Sequence, residues 1–475
     1  MKKKIVVSFI ISLLFIILIP ISVISFGFIC PAQFDETYYG ELPYMFNRLK
    51  NGKSGKIILL GNSGLAFGAR SDIIGEKLNK EVVLFGLYGA IGSKAMMDLS
   101  KVGIKKDDIV IFAPEITEQG LSLYFSSENM WMAIDGHYDM LPYIGKDNKE
   151  SMTGNFNKFV SSKAKYFFRG KKPSVEGVYM QSSFNKNGQE VGYLTYQREY
   201  NIMINGFDSN GLVNYDKSYL TDDFINYVNE YASYVKNKGA RIYYGFTPVN
   251  RLAVSSEEET IKDFYTSLKA KLSFPIMGNP NNYLFDYEWF YDNNFHLNSA
   301  GTYIYNKQLI DDLKIVLEDP SITDIEIPSK PIIPVPEFED GDNSNADCFT
   351  YISFNDGYLI NGLTELGRNK TSVIIPSTYN NLPIISFDES VFANNKNINE
   401  IIVQKNIRTL PNNGLIGCTS LTKIILRHDS PSKINVGTSF LNGADNASVY
   451  VKKDSYETFI NHYNWAYYRN RIKTY

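Results

Sequence analysis

The sequence predicts an α/β chain, a three-layer sandwich around a parallel sheet, followed by a stacked-repeat solenoid. Two observations carry this. Between Gly55 and Glu318, short apolar runs closed by glycine or proline alternate with helical periodicity, the pattern of strands buried on both faces. Beyond Cys348 a strand-bearing unit returns at an offset of 23 residues, and a period in the twenties with one short strand per unit belongs to stacked repeats.

The first element lies at the N-terminus. Lys2-Lys3-Lys4 precede an uncharged apolar run from Ile5 to Ile29, which at about 1.5 Å per residue crosses a hydrocarbon layer about 30 Å thick. With the lysines held inside, residues 1–30 read as an uncleaved single-pass anchor to the cell membrane, and all that follows Cys30 faces outward. A cleaved signal peptide is the alternative, although the run exceeds the usual apolar core and lacks a small-residue cleavage site. Ile29 is not the small residue that lipid modification of Cys30 requires. Cys30, Cys348 and Cys418 form no disulfide framework, since at least one is left unpaired.

Residues 31–318 form the α/β domain. Ile57 to Leu60, Val82 to Phe85, Ile109 to Phe112 and Ile242 to Phe246 read as parallel strands. Asp222 to Lys236 reads as a helix stopped at Lys238-Gly239, and Thr302 to Leu317 as another with Ile304, Leu309, Leu313 and Val316 on one face. From Gly120 to Leu220 the pattern is irregular, an insertion that either shapes a cleft or is peripheral. Thr247-Pro248-Val249-Asn250-Arg251 follows the last strand, which makes Asn250 and Arg251 candidate substrate contacts on the sheet rim.

Gly61-Asn62-Ser63-Gly64 follows the first strand directly, so Ser63 is placed at a carboxyl edge, where ligands collect in parallel sheets. A serine hydroxyl needs a base, and the base needs a group that fixes its tautomer. Of four histidines, His428 and His462 fall in the repeats. His296 leads, four residues after Asp292 and just ahead of a helix, and His137 is second.

On these residues the chain resembles the SGNH/GDSL hydrolase superfamily from about Gly55 to Glu318. The family opens with Gly-Asp-Ser after the first strand, and Gly61-Asn62-Ser63 fits with Asn for Asp. Its second element is a glycine after the second strand, matched by Gly89. Its third is an Asn, whereas Pro114-Glu115 stands here and sets a carboxylate where an oxyanion donor belongs. Its last is Asp-x-x-His, but Asn293 occupies that acid position and Asp292 lies one residue earlier; either a tighter loop absorbs the offset or Asn293 orients the ring. The resemblance implies Ser63 as nucleophile, His296 as base and Asp292 as its orienter, with backbone N–H donors from Ser63 and Gly89 and Glu115 as a possible substrate contact. The α/β-hydrolase elbow Gly-x-Ser-x-Gly is absent, because Leu65 holds its last position.

Residues 319–347 form a linker rich in proline and acid. Then Phe392 to Val403 matches Leu415 to Leu426, with Val373-Ile374-Ile375-Pro376 as an earlier copy. Residues 348–475 resemble the BspA type of leucine-rich surface repeat, with Tyr450 to Tyr475 as a cap containing Trp465, Tyr467 and Tyr468. Such a face binds a partner or merely spaces domains.

A net charge of −3 with no basic block beyond the N-terminus argues against nucleic acid. No Cys/His cluster has metal-ligand spacing, and no metal or other cofactor is expected. Gly52-Lys53-Ser54 lacks the upstream glycine and preceding strand of a phosphate loop. The 34 tyrosines and 30 phenylalanines fill cores or line a glycan surface. The expectation is a membrane-anchored, outward-facing serine esterase or O-acyltransferase acting on acyl groups of cell-surface glycan or another acylated polymer, with a multi-pass acyltransferase as partner in some relatives. The alternative is a surface adhesin or scaffold whose hydrolase domain is inactive.

Overall fold

Strands β1 (Ile57–Gly61), β2 (Val82–Gly86), β3 (Ile109–Ala113) and β4 (Arg241–Tyr244) lie parallel in the order β2-β1-β3-β4. Every residue of β1 and β3 is buried, so both faces of the sheet are covered. This computed structural model describes residues 18–175, 177–203, 206–208, 211–332, 341–354, 357–437 and 439–475. It divides into two compact units: Met1–Asn201 with Gly211–Ile332, and Ile202–Asn210 with Ile333–Tyr475.

In the first unit, helices α1 (Leu42–Asn51), α2 (Ser63–Gly68), α3 (Ser71–Leu78) and α4 (Ser93–Ser100) pack on the sheet strands. The chain passes from β1 to β2 on one side and reaches β3 on the other, so a crevice opens at the carboxyl ends of β1 and β3. The start of β1 is pinned to β3 by a wholly buried ion pair, Lys56 Nζ to Asp108 Oδ2 at 2.6 Å. Asp108 also accepts from the backbone N–H groups of Gly55, Lys56 and Lys105. A methyl on Gly61 would lie 2.2 Å from the Ala113 carbonyl, so only glycine lets β1 and β3 approach there.

The insertion is more regular than its sequence suggested. It holds α5 (Ser127–Ala133) and the 24-residue α6 (Lys146–Arg169). Asn148, Met152, Phe159, Val160 and Lys163 are the buried positions of α6, at helical spacing. Frequent Asn, Ser and Lys around them, with Gly154, obscure the period. Helix α7 (Asp222–Asn237) and, later, α9 (Gly301–Leu317) follow the expected bounds closely, with α8 (Glu258–Lys271) between them.

Residues 18–29 are helical. Among the described residues no helix is long and apolar enough to cross a membrane; residues 1–17 of the expected anchor lie outside them, as do 333–340 of the linker.

In the second unit, Ser372–Ile375, Glu400–Val403, Lys423–Leu426, Ser448–Val451 and Ile472–Thr474 form one parallel ladder in chain order. Ile401 pairs with Ile424, the register set by the 23-residue offset. Each copy turns alternate side chains inward, such as Ile401 and Val403, then Ile424 and Leu426. A second parallel ladder joins Leu382–Phe387, Thr409–Leu410 and Asn435–Val436. Trp465 is fully buried against Phe459, and the Tyr468 hydroxyl donates to the Gly437 carbonyl, closing the stack; the Tyr467 side chain is outside the described set. Cys30, Cys348 and Cys418 are all unbonded thiols, and all buried.

Candidate active site

Ser63 begins α2 immediately after β1, with Asn62 as its extended N-cap. Phe67 follows one turn later on the same face, and its ring stacks on the His296 imidazole with centroids 3.6 Å apart and planes 8° from parallel. Folding thus brings the Ser63-bearing face of α2 against the distant histidine. His296 is 3% exposed and Ser63 8%.

The histidine loop is tightly specified. Asn293 Oδ1 accepts from Phe295 N and His296 N. Asn298 Nδ2 donates to the Glu288 and Phe290 carbonyls, and its Oδ1 accepts from Gly301 N at the head of α9. His296 Nδ1 lies 2.8 Å from Asp292 Oδ1, 2.9 Å from Asn293 Nδ2 and 3.3 Å from the Tyr179 hydroxyl. A carboxylate only accepts, so the shortest contact requires the proton on Nδ1. Nε2 is then left with its lone pair, the form a general base needs. That atom is buried with no hydrogen-bond partner among the described residues. The offset acid therefore reaches the ring, while Asn293 shapes the turn beneath it.

Asp292 has a second brace that the sequence did not reveal. Tyr179 donates to its Oδ2 at 2.5 Å. Tyr179 comes from the irregular insertion, where no local pattern marked it. Nearby, Arg198 is 2% exposed and donates to the carbonyls of Leu297, Tyr196 and Phe67, tying the end of α2 to the histidine loop. Burial lowers its pKa to about 10, with the Asp292 charge opposing. Tyr38 packs edge-on to Tyr179 and beside Phe67; its hydroxyl is buried and unpartnered among the described residues, and burial holds its pKa well above the ordinary value.

Ser63 does not hydrogen-bond to His296. Its hydroxyl donates to Glu115 Oε1 at 2.8 Å, and the Gly64 N–H donates to the same oxygen at 2.7 Å. Glu115 follows β3, so the two carboxyl-edge loops that flank the crevice meet through this contact. Asn62 Oδ1 accepts from the Glu115 N–H at 3.4 Å. A methyl on Gly89 would lie 3.7 Å from both Asn62 Nδ2 and Glu115 Oε2, and 3.9 Å from Gln119 Nε2. Gly89 thus stands beside Glu115, with the Gln119 amide, unremarked in the sequence, close by. The N–H groups of Ser63 and Gly89 each open a helical turn and have no intrahelical carbonyl to meet.

Asn250 and Arg251 are placed differently from expectation. β4 ends at Tyr244, and Val249–Asn250 pairs instead with Leu284–Phe285, outside the main sheet. Asn250 Oδ1 accepts from Leu252 N, and its N–H donates to the Asn294 carbonyl, so it supports the histidine loop. Arg251 engages the Leu284 carbonyl and Asp286. Thr247 and Pro248 stand against α2: a methyl on Gly64 would lie 3.2 Å from Thr247 Cβ, and one on Gly68 3.4 Å from Pro248 Cγ. His137 begins the turn Tyr138–Tyr143 of the insertion. A surface cleft lined by Arg70, Asn185, Tyr193, Arg198, Thr302 and Tyr303 includes neither Ser63 nor His296.

Comparison with protein-family models and with curated proteins finds no match. Among solved structures, a leucine-rich repeat protein of T. pallidum matches at 19% identity and a TM-score of 0.20, covering 22% of this chain and 47% of that one. A leucine-rich cell surface protein of Faecalibacterium prausnitzii A2-165 matches at 17% identity and 0.19, covering 22% and 28%. The aligned region thus spans less than half the length of either protein.

Proposed function

We propose that the first unit is an SGNH-type serine acyl hydrolase or O-acyltransferase, held at the outer face of the cell membrane by its N-terminal segment and acting on acyl groups of a cell-surface glycan. The observation that supports this most is the His296 ring, oriented by Asp292 and Tyr179, stacked on the helix that Ser63 begins, with Nε2 unpartnered among the described residues. In this reading the Ser63 hydroxyl turns from Glu115 toward Nε2 when an acyl group enters. The nucleophile attacks the acyl carbon, and the Ser63 and Gly89 N–H groups stabilise the oxyanion. His296 then returns the proton to the leaving alcohol, and water or a sugar hydroxyl takes the acyl group. A multi-pass acyltransferase is the class of protein that would supply the acyl donor. The second unit, read as a leucine-rich solenoid of BspA type, holds the enzyme on its polymer.

A second reading is favoured by one contact. Glu115 occupies Ser63 and the Gly64 N–H together, as a retired site would, leaving a surface scaffold or adhesin. Labelling of the full chain by a fluorophosphonate probe decides between them. Labelling that Ser63→Ala and His296→Ala both abolish supports the enzyme; no labelling of the parent, or labelling that survives Ser63→Ala, supports the scaffold or another nucleophile.

A further inference from the structure

The N-terminal helix is not a loose tether. Its last turn is clasped by the insertion: the Gly27 carbonyl accepts from Tyr138 Oη at 2.7 Å and from Lys163 Nζ at 3.1 Å. Lys163 is itself fully buried in an ion pair with Asp135 at 2.6 Å. A methyl on Gly27 would lie 2.5 Å from Phe156 Cζ, so the helix seats directly on α6. Phe28 packs among Tyr138, Phe156 and Trp131.

This clasp carries the far end of α6 to the same level. Phe26 stacks on Phe168 at 5.9 Å and meets Phe167 edge-on at 5.8 Å. Phe168 is 78% exposed and Phe167 41%. Lys165, Arg169 and Lys171, sequence neighbours of these rings, are exposed, and Lys172 pairs with Asp35 and Glu36. Exposed aromatic rings with cations beside them in the chain suit a lipid headgroup layer.

The length of the apolar run fixes the height of this patch. Phe26 lies twenty-two residues after Lys4 in the sequence, and at about 1.5 Å per residue a helix of that length rises about 33 Å. Against a hydrocarbon core about 30 Å thick, Phe26 falls about 3 Å beyond it, in the interfacial zone. We infer that the Phe167-Phe168 tip of α6 is a second membrane contact, seated in the headgroup layer of a phospholipid bilayer, so that helix and tip together fix the orientation of the catalytic unit.

The inference rests on the anchor proposed above, and the test separates the two. The full chain carrying Phe168→Cys is labelled with an environment-sensitive fluorophore and reconstituted in vesicles of phosphatidylcholine and phosphatidylglycerol, with Lys262→Cys, exposed on α8, as the aqueous control and the unsubstituted chain as the labelling blank. Phe168 is largely exposed, so its replacement leaves the fold intact. A carbonate-resistant chain whose residue-168 label is blue-shifted, quenched by shallow spin-labelled lipid and at least about threefold less quenched by iodide than the control supports the seat. A carbonate-resistant chain with equal iodide quenching at both positions overturns the seat while leaving the anchor. Extraction by carbonate overturns the anchor and the seat with it.

Discussion

Glu115→Gln asks where the Ser63 proton goes. In the resting site the Ser63 hydroxyl and Gly64 N–H both meet Glu115 Oε1, at 2.8 and 2.7 Å. A hydrogen bond to a charged group contributes about 1.5–3 kcal/mol. If His296 is the base, the hydroxyl must first leave this carboxylate, which slows nucleophilic attack about 10- to 150-fold at 1.36 kcal/mol per decade. A neutral amide holds the hydroxyl by only about 0.5–1.5 kcal/mol, so Glu115→Gln should raise the fluorophosphonate labelling rate about tenfold. His296→Ala and Asp292→Asn should lower it by roughly 10³ to 10⁴, the latter because Nδ1 would then accept from the Asn293 amide and Nε2 would carry the proton. Rates are read as pseudo-first-order labelling of the full chain, with Ser63→Ala as the blank and thermal midpoints confirming that each variant folds. The reasoning fails if Glu115→Gln silences labelling as fully as Ser63→Ala while His296→Ala labels at the parent rate; Glu115 would then be the base, and the Asp–His pair structural.

Three further outcomes follow from particular contacts. Tyr179→Phe keeps the ring against Tyr38 and Phe67 but removes the 2.5 Å donor to Asp292, and labelling should slow about 10- to 100-fold with little change in thermal midpoint; an unchanged rate would show that Asp292 needs no brace. Asp108→Ala strands the buried Lys56 ammonium and should cost about 3–5 kcal/mol in urea unfolding of the first unit, whereas a loss under about 1 kcal/mol would mean the site relaxes to admit water. In the repeats, burial lowers the pKa of His428 from the ordinary 6.5 to about 4. The unfolded chain therefore binds the proton first as pH falls, so this group leaves stability intact above about 6.5 and removes up to about 3 kcal/mol on descending to about 4. Urea midpoints at pH 7 and 4.5 should differ less in His428→Gln than in the parent; equal differences would contradict the assignment.

The strands and helices α7 and α9 of the first unit were legible because apolar runs and helical periodicity report burial locally. So was the pairing of Asp292 with His296, four residues apart in one loop. The insertion was not, since α6 interrupts its apolar stripe with Asn, Ser and Lys and buries Lys163 in place of a hydrophobe. Tyr38, Tyr179 and Arg198 reach the site from segments with no motif of their own. Asn250 and Arg251 were read onto the rim of the main sheet because the strand was taken past Tyr244; Val249–Asn250 pairs outside that sheet, and Thr247 and Pro248 stand against α2.

By itself the sequence determined which residue types stand at the carboxyl edges of the strands and that the C-terminal units would stack, because burial period and repeat length are properties of short windows. Only the tertiary structure decided what those edge residues do to one another. Whether Ser63 faces a base or an acid depends on angstrom-scale placement of loops after β1 and β3 and of a histidine far along the chain. That placement draws on Arg198, which ties the Phe67 and Leu297 carbonyls together, partners distant in sequence and therefore invisible to any local pattern.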